Sequence, residues 1–139
     1  MKKQLQQLWD FQSAYDQPRN TKPTLLEPDE FYLRYRLGKE ELVEYLDACN
    51  NDDLVEVTDA LADQLYILLG TMIAHGMQGI IENVFDEVHR SNLSKLGEDG
   101  KPIYREDGKV LKGPNFSPPN LGQFLTDNGQ LEIPFNEEV

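Results

Sequence analysis

The chain has 139 residues and a mass of 16.0 kDa, enough for one domain with a core that needs neither disulfides nor a structural metal. Its 13 basic and 25 acidic side chains leave a net charge of −12, which argues against binding a nucleic acid polymer through the overall electric field. The single cysteine, Cys49, excludes a disulfide scaffold. Because no uninterrupted apolar run predicts a signal peptide or a membrane span, we expect a cytoplasmic protein without a membrane partner.

The pattern of apolar residues predicts four helices in succession. Their expected ranges are 2–15, 28–48, 54–75 and 78–96. Pro28 is typical of a first helical position, and either Asp52 or Asp53 can cap the third helix. Gly76 is a plausible C-terminal cap of that third helix. The loop before Pro28 contains two further prolines, so we predict no regular structure there.

The character of the chain changes after Gly97. Two Asp-Gly pairs are turn signals, and the segments Pro102–Arg105 and Lys109–Lys112 can pair as a short hairpin. Prolines then disfavour regular structure toward the C-terminus. We therefore predict an all-α fold with a four-helix-bundle-like core. Residues 1–96 form the helical core, and residues 97–139 are a hairpin loop and an irregular tail of the same domain.

The negative charge is concentrated in one part of the chain. Between Glu40 and His89 there are 12 acidic residues and no lysine or arginine, whereas acids and bases balance in the remainder. The acidic character therefore belongs to the second, third and fourth predicted helices.

Six of these acids form two stripes. At about 100° per residue, three lie on one face of the second helix and three on one face of the third. They are Glu40, Glu41, Glu44, Glu56, Asp59 and Asp63. Two solvated helix faces would explain such stripes, but solvated faces often carry a lysine or arginine one turn away, and none is present. Both stripes also continue into apolar residues. Carboxylates that converge near an interior must be protonated or hold cations, and oxygen ligands without His or Cys suit Mg²⁺ or Mn²⁺.

The acidic motifs resemble those of a known enzyme superfamily. Glu40-Glu41-x-x-Glu44 followed by Glu56-x-x-Asp59 is similar to the signature of the all-α nucleoside triphosphate pyrophosphohydrolases. These comprise the MazG-like enzymes, the dimeric dUTPases and the phosphoribosyl-ATP pyrophosphohydrolases. The segment around Asn92 and Lys95 and the loop Lys112-Gly113-Pro114 are also similar. The resemblance extends over about residues 5–121.

The resemblance implies a Mg²⁺-dependent enzyme, with Mn²⁺ as a possible substitute, that acts as a homodimer or a dimer of dimers. It places Glu40, Glu41, Glu44, Glu56 and Asp59 where the family binds metal. It also implies that Glu41 or Glu44 orients or deprotonates a water that attacks the α–β phosphate linkage. The products would be a nucleoside monophosphate and pyrophosphate. A role in the nucleotide pool, on dUTP or a non-standard nucleotide, would follow.

Basic residues are enriched directly after the acidic segment. Six of the 13 bases lie within residues 90–112, either as a solvated loop that balances charge or as phosphate ligands. The phosphate hypothesis is strongest for Lys95 and Lys112, and Asn92 could hydrogen-bond a base or sugar. Three roles remain open for Asp63: a metal ligand, an acid behind the metal ligands, or a contact to the nucleoside sugar. The alternative to an enzyme is a non-catalytic acidic helical module that binds a protein partner.

Overall fold

A computed structural model describes residues 1–125, and this part of the chain is all-α, as predicted. Its helices are α1 (Lys2–Ala14), α2 (Pro28–Asn50), α3 (Leu54–Ala74) and α4 (Ile81–Leu93), followed by a short 3₁₀ helix (Leu121–Phe124). Only an isolated β-bridge, and no strand, occurs within residues 1–125. The C-terminal part of the predicted irregular tail, residues 126–139, lies outside the described residues.

The described chain divides into two compact units after Gly79. The first holds α1, α2 and α3, and the second begins at Ile80 and holds α4 and the segment that follows it. That residues 1–96 and 97–139 belong to one domain stays a prediction.

In the first unit α3 packs against both α1 and α2. The centre of the core is formed by Leu5 and Leu8 of α1 with Leu69 and Ile73 of α3, all buried. Gly70 lies where α1 packs against α3, and a Cβ added there would make an ordinary contact of 3.7 Å with Leu8 Cδ1. Burial of these apolar side chains is the main source of stability for the three-helix unit.

The loop between α1 and α2 closes the C-terminal end of α3. Asn20 donates from its backbone N–H to Ile73 O at 3.1 Å and from its side chain to Ala74 O at 2.6 Å. The Thr24 backbone N–H donates to His75 O at 2.9 Å. The last carbonyls of a helix have no partner within the helix, so these bonds satisfy groups that would otherwise need water.

The two central helices begin at the predicted places. Pro28 occupies the first turn of α2, and Glu27 and Glu30 form a capping box around it. Asp53 caps α3 by accepting hydrogen bonds from the Val55 and Glu56 N–H groups at 3.0 and 3.1 Å. Both helices therefore start on polar side chains that lie close to them in sequence.

Helix α4 is shorter than its predicted range of 78–96. At its start, the buried Gln78 side chain donates to Asn20 O at 2.9 Å, in the loop before α2. At its end, the carbonyl of Lys95 accepts from the Gly113 N–H at 2.9 Å. At both ends of the predicted range the sequence pattern favours helix, but the chain instead makes hydrogen bonds to residues that are distant in sequence.

The predicted hairpin is present in a minimal form. Tyr104 and Val110 make one antiparallel bridge, and the Leu111 N–H donates to Ile103 O at 2.7 Å. Because no further pairs extend it, the segment is a tight turn with one bridge.

Helix α3 is the one described helix that is long and apolar enough to cross a membrane, contrary to the sequence-based expectation. The core helix of a soluble protein meets the same criterion, and α3 contributes buried residues such as Leu69 and Ile73 to the core of the first unit.

Candidate functional site

The hairpin of α2 and α3 positions the six acids of the two stripes. Only residues 51–53 separate the helices, so the C-terminal half of α2 lies beside the N-terminal half of α3. Gln64 of α3 donates to the backbone carbonyl of Glu41 in α2 at 3.3 Å. This bond joins the two helices at the level of the acids.

Glu41 is the most constrained of these acids. It is half-buried, and its Oε2 atom is shielded from water without a hydrogen-bond partner within the described residues. Burial raises the pKa of the Glu41 carboxyl above its ordinary value, and four neighbouring carboxylates raise it further. In order of effect these are Glu44, Asp63, Glu40 and Asp59. Within the described residues, no basic side chain acts on the Glu41 pKa in the opposite direction.

The structure thus brings five of the six predicted acids into one electrostatic cluster around Glu41. Glu56 does not contribute to the pKa shift of Glu41 and lies in the first turn of α3, where its N–H is bonded to Asp53. Sequence reasoning missed Gln64, whose only signal was a polar residue beside Asp63 on a largely apolar helix.

The donor chemistry of the cluster fits a divalent cation. The shielded Glu41 Oε2 is an unsatisfied hard-oxygen ligand, and Mg²⁺ and Mn²⁺ prefer such ligands. As the side chains stand, however, no three His, Cys, Asp or Glu groups within residues 1–125 form a ready metal cage. A bound cation would therefore have to draw the carboxylates together against the repulsion of their like charges.

The second unit places the other predicted site residues near each other. Lys95 Nζ donates to Asn92 Oδ1 at 2.7 Å, one turn apart near the end of α4. The Gly113 N–H donates to Lys95 O at 2.9 Å, which places the backbone of Lys112 beside the same helix end. Asn92, Lys95 and Lys112, separated by up to 20 residues in sequence, therefore belong to one small region.

Some of the six bases of residues 90–112 pair with carboxylates and others do not. Arg90 makes two hydrogen bonds of 2.7 and 2.8 Å to the Glu87 carboxylate, and Arg105 pairs with Asp107. Within the described residues, neither Lys95 nor Lys112 has a carboxylate partner. The two lysines predicted to bind phosphate are therefore free of competing acids.

A segment that the sequence analysis treated as irregular runs back along α4. We call residues 113–120 the return segment. Its Ser117 N–H donates to Ser94 Oγ at 2.9 Å, and the Asn120 N–H donates to Glu87 Oε1 at 2.8 Å. Together with the Gly113–Lys95 bond, these contacts follow α4 from its end toward its middle. Glu87 lies in α4, whereas Ser94 and Lys95 directly follow its last residue, and local patterns do not link any of the three to a distant loop.

The first unit contains an apolar groove between α2 and α3, with a volume of about 790 Å³. Phe31, Tyr35 and Leu42 line it from α2, and Leu65 and Leu68 line it from α3. All five side chains are exposed, between 41% and 63%. Large apolar side chains in a continuous groove are unusual on the surface of a monomeric protein.

Comparison with known proteins finds one family model, described as phosphoribosyl-ATP pyrophosphohydrolase, that matches residues 8–92. Among solved structures, the chain is similar to a "putative NTP pyrophosphohydrolase" from Exiguobacterium sp. 255-15. The two are 26% identical over 84% of this chain and 88% of the other, with a TM-score of 0.45. No curated protein gives a significant match.

Proposed function

We propose that this chain, which belongs to the phosphoribosyl-ATP pyrophosphohydrolase family, hydrolyses nucleoside triphosphates to nucleoside monophosphates and pyrophosphate. The matched region covers more than half of the chain and includes both acidic motifs, which confirms the resemblance to the all-α superfamily. Family membership supports pyrophosphohydrolase-like activity in general. The choice of a triphosphate, the metal and the residue roles are our proposals.

The acidic cluster would hold Mg²⁺, or Mn²⁺ in its place. The proposed ligands are Glu40, Glu41, Glu44 and Asp59 of this cluster, together with Glu56 of the first turn of α3. When bound, the metal would neutralise phosphate charge and lower the pKa of water. The shielded, unpartnered Glu41 Oε2 is the observation that carries this proposal, because nothing else in the described structure compensates that oxygen.

The remaining roles are proposed from the chemistry of each side chain and from the resemblance of its motif to the family. Glu41 or Glu44 would orient the attacking water and accept its proton, since a carboxylate can act as a general base at short range. Water would add to the α-phosphorus while the bond to the bridging oxygen breaks, so pyrophosphate leaves with that oxygen. Lys95 and Lys112 would bind the phosphate chain, Asn92 the base or sugar, and Asp63 the metals or the nucleoside sugar.

A cytoplasmic enzyme of this kind would act on the nucleotide pool, with dUTP or a non-standard nucleotide as its substrate. A panel of nucleotides at one concentration, with pyrophosphate release as the readout, identifies the preferred base and sugar. The panel should include deoxy and ribo forms, because no described contact selects between them.

We further propose that the chain forms a homodimer, or a dimer of dimers, through the apolar groove of α2 and α3. Phe31, Tyr35 and Leu42 recur on α2 at intervals of four and seven residues, the spacing of an interhelical seam. Although α2 is 23 residues long, Ala48 is its only buried residue within the described structure. A helix with so many apolar and so few buried residues is typical of a subunit interface.

The decisive test replaces Glu41 by Gln and measures pyrophosphate release with Mg²⁺. We expect activity to fall by about 100-fold or more, the scale of removing a group that transfers a proton in the transition state. The metal-free variant should be at least as stable as the wild type, because one of five repelling charges is gone. The thermal stabilisation that Mg²⁺ gives to the wild type should also shrink.

Two comparisons make this test specific. Asp59→Asn should behave like Glu41→Gln, whereas Asp29→Asn makes the same charge change on the exposed first turn of α2 and should leave activity intact. If the wild type turns over no nucleotide and Mg²⁺ does not raise its melting temperature, the enzyme proposal is wrong. The alternative of a non-catalytic acidic binding module would then be favoured.

A further inference from the structure

A tight turn controls the position of Lys112. The Phe116 N–H donates to Gly113 O at 3.1 Å, which closes a four-residue β-turn over residues 113–116. Pro114 stands at the second position of this turn, where its fixed φ angle favours the reversal. The chain therefore doubles back directly after Lys112, and residue 116 returns to its neighbourhood.

This reversal brings the side chains of Lys112 and Phe116 into contact. The Lys112 ammonium lies 4.3 Å from the centre of the Phe116 ring, within the range of a cation–π contact. Phe116 is half-buried, whereas Lys112 is exposed. The ring is thus the fixed member of the pair, and it restricts a lysine side chain that would otherwise sample many rotamers.

The backbone before the turn is fixed just as closely. A Cβ at Gly113 would lie only 2.3 Å from the backbone oxygen of Leu96, so no side chain fits there. The Gly113 N–H bond to Lys95 O depends on this close approach. Lys95 is itself held, because its Nζ donates to Asn92 Oδ1. Both lysines are therefore oriented by neutral partners, and neither pairs with a carboxylate within the described residues.

We propose that Phe116 is a positioning residue for Lys112, holding its ammonium beside Lys95 so that the two cations bind one polyphosphate chain. The inference rests on the proposed function for the identity of the ligand. The partners of the two lysines are neutral. This matters because a carboxylate in their place would compete with phosphate for the ammonium groups. The aromatic face orients the cation without cancelling its charge.

Phe116→Leu tests this role, since it keeps an apolar side chain and removes the ring. We expect the KM for the triphosphate to rise about two- to fivefold with little change in kcat, the size of an exposed cation–π contact. Phe116→Tyr keeps the ring and should retain the wild-type KM. In a Lys112→Ala background, Phe116→Leu should have no further effect on KM.

An independent measurement uses inorganic tripolyphosphate without metal. The ε-methylene protons of Lys112 should show an upfield ring-current shift in NMR spectra of the wild type and Phe116→Tyr, and lose it in Phe116→Leu. Tripolyphosphate should bind Phe116→Leu about two- to fivefold more weakly. Gly122→Ala, at a glycine with no atom within 4 Å of its added Cβ, is a control in the same unit that should bind normally.

The outcomes separate this inference from the proposed function. If the wild type hydrolyses nucleotides but Phe116→Leu has the same KM, or raises KM equally in the Lys112→Ala background, the positioning role is wrong. A fall in melting temperature with unchanged tripolyphosphate binding also contradicts it. If no nucleotide is hydrolysed but tripolyphosphate binding depends on the ring, the proposed function fails and the positioning role stands.

Discussion

At the scale of single residues, Glu41 shows how a charge can be held at a cost to stability. Its carboxyl is partly desolvated and faces four other acids, so its ionised form is disfavoured in the folded chain. Proteins commonly keep such destabilising groups where function needs them. The proposed cation would compensate this repulsion directly in a chain of net charge −12.

Gly76 is a residue whose identity the backbone requires. Its φ angle is +70°, and a Cβ would lie 2.0 Å from Lys22 O. Gly76→Ala should therefore destabilise the protein by more than about 2 kcal/mol, since the left-handed conformation alone costs an alanine about 1–2 kcal/mol. Urea unfolding followed by circular dichroism measures the change.

Gly100 provides the matched control for this substitution. Its φ angle is +73°, but nothing lies within 4 Å of an added Cβ. Gly100→Ala should cost only the conformational term, about 1–2 kcal/mol. Equal losses for the two variants would show that the contact with the Lys22 backbone is not important.

At the scale of elements, the return segment depends on α4 for its conformation. Glu87 accepts from Arg90 and from the Asn120 N–H, and these bonds lower the pKa of its carboxyl to about 2. The largest contribution to the pKa shift comes from Arg90 and the next from Asn120. One carboxylate thus joins the helix to the end of the return segment.

The lowered pKa predicts a specific dependence on pH. The unfolded chain takes up a proton at Glu87 near its ordinary pKa of 4.5, while the folded chain does so only near 2. The stabilisation by Glu87 is therefore complete above about pH 4.5 and is lost as the pH falls toward 2. Glu87→Gln should melt below the wild type at pH 7, and the difference should shrink across this range.

Glu106→Gln is the control for the pH experiment. Glu106 is exposed on the hairpin and has no hydrogen-bond partner within the described residues, so its removal should leave the melting curve nearly unchanged. Hydrogen exchange at the Asn120 amide provides a local readout and should be faster in Glu87→Gln. A wild-type-like exchange rate in that variant would contradict the proposed role of Glu87.

At the scale of the whole molecule, the apolar groove of α2 and α3 predicts self-association. The wild type should elute and scatter light at about two or four times 16.0 kDa, because exposed apolar surface of this extent is unfavourable in water. Leu65→Arg places a charge in the groove and should shift the population toward the monomer. Light scattering coupled to gel filtration measures the mass.

Leu25→Arg is the matched control, since Leu25 is 91% exposed on the loop before α2 and does not line the groove. It should leave the assembly unchanged. A wild type that is monomeric at every concentration would contradict the dimer proposal without affecting the assignment of the acidic cluster.

Much of the architecture could be predicted from local patterns. The starts of α2 and α3 were predicted to the residue, because Pro28 and Asp53 act on their own helix termini. The acid stripes on α2 and α3 were predicted from helical periodicity. The predicted range of α4 was too long at both ends. At Gln78 and Lys95 the local pattern still favours helix, but hydrogen bonds to residues distant in sequence form there instead.

By itself, the sequence determined the all-α class, the family and the pair of acidic motifs, since these depend on spacing along a regular helix and on residue identity. Only the tertiary structure showed which acid is desolvated, which bases are free of carboxylates and how Phe116 reaches Lys112. Those properties depend on burial and on contacts between residues distant in sequence. The sequence shows where the acidic residues lie along the chain, but the burial and neighbours of each side chain determine its pKa and its partners.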